Sequence, residues 1–101
     1  MFFMVVNSED KMEWFEQAHE FNLKQLYQLI ECRLIEVIEL RGVALTANDG
    51  SLIEDPLMIL DEEGKLTGRE INPMATNLFR IAGINDTAVG TVVICDKGLL
   101  N

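Results

Sequence analysis

Leu57-Met58-Ile59-Leu60-Asp61-Glu62-Glu63-Gly64-Lys65-Leu66 opens the stretch whose reading decides the fold, residues 57–95. Its four leading apolar residues read as a strand, and the acidic turn Asp61-Glu62-Glu63-Gly64 breaks that strand in the manner of a hairpin turn. A helix follows. Asn72 has the side chain of an N-cap, and Pro73 suits the first helical position, where no amide donor is needed. Ala75, Leu78, Phe79 and Ala82 recur at helical spacing, Met74 and Ile81 widen the stripe, and Gly83 is placed as a left-handed stop. Asn85-Asp86 then turns the chain into Ala88-Val89-Gly90-Thr91-Val92-Val93-Ile94-Cys95, a second apolar strand.

Working outward, residues 2–6 form a strand, and Asn7-Ser8-Glu9-Asp10 is a polar turn. Residues 12–18 fit either a returning strand or a helix start. The strand is preferred, because the next helix has its own start signal. Asn22 caps it, Gln25 stands at the third helical position, and Phe21 and Leu26 are spaced as a hydrophobic staple. Leu23, Leu26, Tyr27 and Ile30 share one face of this helix, which is expected to run to about Cys32. Leu34-Ile35-Glu36-Val37-Ile38-Glu39-Leu40 reads as a strand with both faces partly covered. Residues 42–56, with Asn48-Asp49-Gly50-Ser51 at their centre, are an excursion, either a loop or a small hairpin. The tail from Asp96 to Asn101 is expected to fray at its end. The fold class that follows is α+β: a mainly antiparallel or mixed sheet with two helices packed on it.

A chain of 101 residues, 49% of them hydrophobic, is the size of one domain with one core, residues 1–101. Acidic side chains number 17 against 8 basic ones, for a net charge of −9. The Lys and Arg are scattered singly, whereas phosphate neutralisation needs them clustered, so direct nucleic-acid binding is not expected. The apolar start, Met1 to Val6, is too short for a signal core or a membrane span, so neither export nor a membrane role is expected. Cys32 and Cys95 show no CxxC spacing and no histidine cluster, so no metal and no cofactor is expected. Two unpatterned thiols fit a reducing cytoplasm.

Three motifs in order carry a resemblance: Asp61-Glu62-Glu63-Gly64-Lys65-Leu66, then Asn72-Pro73-Met74-Ala75-Thr76, then Val89-Gly90-Thr91-Val92-Val93-Ile94. Together, over about residues 22–95, they resemble a small family catalogued as a domain of unknown function and found in bacteriophages and mobile elements of bacteria. The resemblance implies a small accessory protein at work in a bacterial host, and it brings no catalytic residue with it. Two departures stand out: the segment between Arg41 and Pro56 is longer than the family's link, and Glu31-Cys32-Arg33 stands where the family commonly has glycines.

Candidate chemistry is sparse. Asp61, Glu62 and Glu63 are consecutive, not alternating as a calcium loop requires, so they read as a turn and not as ligands. His19 has acids beside it but no Ser or Cys in a catalytic motif, so no enzyme activity is expected. Lys65, Arg69, Asn72 and Thr76 around a helix start are candidates for holding an anion, although capping alone accounts for Asn72. Trp14, next to Phe15 and flanked by Glu13, Glu16 and Glu20, is the candidate anchor of a protein interface. The expected function is therefore binding and modulation of a bacterial host or defence protein through an acidic surface, by a monomer or small homo-oligomer. The alternative is a protein that binds or sequesters a nucleotide-like small molecule.

Overall fold

In the computed structural model, which describes residues 1–100, the apolar start forms β1, Phe2–Val6, and turns back as β2, Met12–Glu16. The order continues with α1, Leu23–Ile30; β3, Ile35–Glu39; β4, Ala44–Thr46; β5, Leu52–Glu54; β6, Leu57–Asp61; α2, Pro73–Ile81; and β7, Val92–Cys95. Five strands form one antiparallel sheet in the order β2-β1-β7-β6-β3, and β4 and β5 form a separate two-stranded hairpin. The fold is α+β. The excursion over residues 42–56 is that hairpin, with Leu45 opposite Ile53.

Side-chain alternation along the strands sorts the core into two layers. Met4 and Val6 of β1, Met58 and Leu60 of β6, and Val92 and Ile94 of β7 face Ala75, Leu78 and Phe79 of α2. Their neighbours Phe3, Ile59, Val93 and Cys95 face Leu26 and Ile30 of α1. The helices therefore cover opposite faces of the sheet. An eight-residue helix such as α1 is marginal alone, and burial of Leu26 and Ile30, at roughly 2 kcal/mol each, is what holds it. β7 lies between β1 and β6, and all four of its residues are buried.

The structure corrects three local expectations. The first helix stops at Ile30 and not near Cys32, because Glu31 adopts a left-handed conformation with φ 58°. The last strand begins at Val92: Gly90, with φ 75°, breaks the run, and Val89 makes only a single bridge, to Ile71. Residues 61–64 do not close a hairpin. The chain runs on in linked turns, Gly64 N to Asp61 O at 3.1 Å, Thr67 N to Glu63 O at 3.0 Å and Arg69 N to Gly64 O at 2.9 Å. The tail is anchored as far as Leu99, which is fully buried in one 3₁₀ turn and whose carbonyl accepts from Phe21 N at 2.9 Å, and its end is where fraying was expected. Asn101 lies outside the described residues.

Candidate protein interface at the edge strand

β2 is an outer strand, paired on one side only, with Phe3 opposite Phe15 and Met4 opposite Trp14. Hydrogen bonds at both ends fix which of its backbone groups are used. Met1 and Gln17 exchange bonds in both directions, at 3.0 and 2.8 Å, and Asn7 N donates to Lys11 O at 2.9 Å. In an antiparallel pair, bonded and non-bonded positions alternate, so Glu13 and Phe15 turn their amides and carbonyls toward β1. Those of Met12, Trp14 and Glu16 turn outward, away from the sheet.

The side chains along this edge are mixed. Trp14 and Phe15 are each half-buried, on opposite faces: Trp14 packs against the α2 layer and Phe15 against the α1 layer. Phe15 stacks on Phe3 with ring centroids 5.1 Å apart, and Phe21 meets Phe3 edge-on at 4.9 Å. These contacts fix the position of the edge. Met12 is 50% exposed, and Glu13, Glu16 and Glu20 are exposed. A groove of about 400 Å³ runs between β2 and α1, with Val5, Met12, Phe15 and Leu29 among its walls. Of the interface candidates, Glu13, Trp14 and Glu16 thus share one strand edge, and Glu20 lies beyond its end.

The four anion candidates do not converge. Asn72 is fully buried: its side chain accepts from Ala75 N at 3.1 Å and donates to Val6 O at 3.1 Å and Gly90 O at 2.9 Å. Thr76 Oγ1 donates to Ala88 O at 3.2 Å and accepts from Ala88 N at 3.0 Å, which fixes the loop before β7 to α2. Lys65 pairs with Asp86, whose carboxyl is held below its ordinary range by that hydrogen bond.

Arg69 lies under the other end of the sheet. Its Nε is 2.7 Å from Asp61 Oδ2, and its Nη atoms donate to the carbonyls of Ile30 and Glu31 at the end of α1. Asp61 is buried, and its other oxygen accepts from Glu63 N at 2.9 Å. The pair lines an open cleft of about 490 Å³ with Tyr27, Cys32, Arg33 and Thr67. Arg33 is engaged by Glu63 at 2.8 Å, and their hydrogen bond holds the Glu63 carboxyl below its ordinary range. Burial, with the Asp61 charge behind it, pushes the Cys32 thiol up, the direction opposite to thiolate activation. Among the described residues, no three His, Cys, Asp or Glu side chains come together as a metal-ligand set.

A family model described as a domain of unknown function, DUF3846, matches residues 1–98. The chain belongs to this family. The match takes in β1 and β2 as well as the 22–95 stretch that carries the three motifs, so the edge strand is part of the DUF3846 domain. No curated protein and no solved structure matches the chain. Among the described residues, no helix is long and apolar enough to cross a membrane.

Sequence reasoning missed the Asp61–Arg69 pair and the outward exposure of Met12. The Asp61–Arg69 contact joins residues eight apart through turns whose path no local pattern encodes. A clue lay at Gly90, where a Cβ would come within 2.8 Å of Arg69 Cδ. The glycine at that position leaves room for the arginine.

Proposed function

We propose that this DUF3846 chain is a non-enzymatic binding protein, an accessory protein of a phage or mobile element that binds and modulates a bacterial host or defence protein. The observation that carries this reading is the outer edge of β2. Its backbone groups at Met12, Trp14 and Glu16 face outward beside half-buried aromatics, and exposed carboxylates flank them. Outward backbone groups and a rigid aromatic suit a protein contact, and a net charge of −9 favours a basic partner. Binding is favoured over catalysis because the polar groups of the 490 Å³ cleft are engaged with one another: Arg69 with Asp61 and Arg33 with Glu63. A nucleotide-like ligand at Lys65, Arg69, Asn72 and Thr76 has less support, since all four bind within the chain and do not open on one cavity.

The test is native mass spectrometry of the tagged protein recovered from a bacterial lysate, beside the variant Glu13→Lys/Glu16→Lys/Glu20→Lys. A protein held at fixed stoichiometry by the native chain and lost from the variant is the expected result. The same protein on both chains overturns the reading, and a small bound mass in place of a protein transfers support to the ligand reading.

A further inference from the structure

The register of β2 says more than that the edge is open. Along one face stand Met12, Trp14 and Glu16, and along the other Glu13 and Phe15. An added strand would bond to the outward groups of Met12, Trp14 and Glu16, and each of its side chains would lie opposite one of these five residues.

Resting on the reading of β2 as a protein interface, we propose that the partner supplies an extended segment that adds antiparallel to β2 as a sixth strand. Its side chains follow the order basic, apolar, apolar, basic, apolar. The two basic residues lie opposite Glu16 and Glu13. The apolar ones cover Phe15, Trp14 and Met12, and the one opposite Phe15 points into the groove beside Val5 and Leu29. Main-chain bonds hold such a strand, and the alternate side chains select it.

Charge decides between possible occupants. A second copy pairing β2 with β2 would set two sets of Glu13 and Glu16 along one seam, and pairing β2 with the opposite edge strand β3 would add Glu36 and Glu39. Like charges across a seam are destabilising, and each copy also carries a net −9. A basic segment meets these carboxylates as opposite charges, with Lys11 the cation that also lines the groove. The two outer strands also differ in their own charge: Glu39 of β3 already has Arg41 and Lys97 as partners at 2.8 and 3.3 Å, whereas among the described residues neither Glu13 nor Glu16 of β2 is held in an ion pair.

Trp14 is the only tryptophan in the chain, so its emission reports on this edge alone. The probe is a capped peptide containing Lys-Val-Val-Lys-Val between threonines, titrated into the full chain up to millimolar concentration. Its control is the same peptide with alternate backbone nitrogens methylated, which keeps charge and side chains but removes the donors a strand needs. A saturable change in Trp14 emission, weakened at least tenfold by methylation and lost in Glu13→Lys/Glu16→Lys, is expected. Equal binding of both peptides overturns strand addition while leaving an acidic protein-binding face intact. No response to either peptide overturns the proposed partner, and a concentration-dependent doubling of mass with no response assigns the edge to a second copy. The lysate experiment fails separately, by capture that charge reversal does not touch.

Discussion

Asn72 shows how one side chain can serve two elements. As the N-cap of α2 it accepts from Ala75 N, and with its amide nitrogen it also holds the carbonyls of Val6 and Gly90, joining β1 to the loop before β7. Replacing it with alanine removes a cap, worth about 1 kcal/mol, and takes a hydrogen bond from each of two buried carbonyls, Val6 O and Gly90 O, at about 1–3 kcal/mol more in all. Asn72→Ala is therefore expected to lose roughly 3 kcal/mol, read as a fall in the midpoint of urea unfolding with an unchanged slope. A loss below about 1 kcal/mol would mean that the cap alone matters. The cap was legible in the sequence as Asn before Pro. The two carbonyl bonds were not, since Val6 is 66 residues away in the chain.

At the scale of the element, α1 ends on a residue ill suited to its conformation. Glu31 sits at φ 58°, a region that costs a side chain with a Cβ about 1–2 kcal/mol and costs glycine almost nothing. Two features hold the end in place: Cys32 N donates to Tyr27 O at 3.0 Å, and Arg69 caps the carbonyls of Ile30 and Glu31. Glu31→Gly keeps both and removes the strain, so after glycine's extra unfolded-state entropy it is expected to gain about 0.5–1 kcal/mol. Thermal unfolding checks this, and a lowered midpoint would show that the Glu31 side chain contributes more than its backbone costs. This end was invisible to pattern reading because no Gly or Pro marks it. Other elements were legible for identifiable reasons. Asn22 does cap α1, accepting from Gln25 N at 2.8 Å, and Gly83 at φ 78° follows α2 where its stop was expected. The Gln25 side chain, placed in the sequence like a capping-box partner, instead exchanges amide bonds with Gln17 at 2.6 and 3.3 Å. Local spacing identified the residue, but only the β2–α1 packing could assign its partner.

Taken whole, the molecule balances diffuse repulsion against a few exposed ion pairs. Glu39, Glu63 and Asp86 are held below their ordinary values by hydrogen bonds from Lys97 and Arg41, from Arg33 and from Lys65 respectively, and Asp49 by those from Ser51. For such groups the unfolded chain takes up protons first as pH falls. Their stabilisation is thus present above the ordinary values of 4.5 for Glu and 3.8 for Asp, and it is lost as pH drops through the lower folded values. Self-repulsion from a net charge of −9 opposes the compact state, and its relief as pH falls works the other way. The thermal midpoint is expected to hold or rise slightly from pH 7 to about 5, then fall below about 4. A midpoint still climbing between about pH 4 and 3 would show that repulsion, not pairing, dominates.

The place of β7 has a bearing on how the protein is made. Its two neighbours, β1 and β6, have no contact through the sheet except across it, and in chain order it is the last of the sheet's five strands. A nascent chain that has not yet delivered Val92–Cys95 holds two separate hairpin-like halves, each with an unsatisfied inner edge. The sheet as a whole therefore cannot close strand by strand as the chain emerges, and closure must wait until Val92–Cys95 has been made. A stop codon a few residues before Val92 would accordingly yield a product fit for proteolysis, not a shortened but working domain.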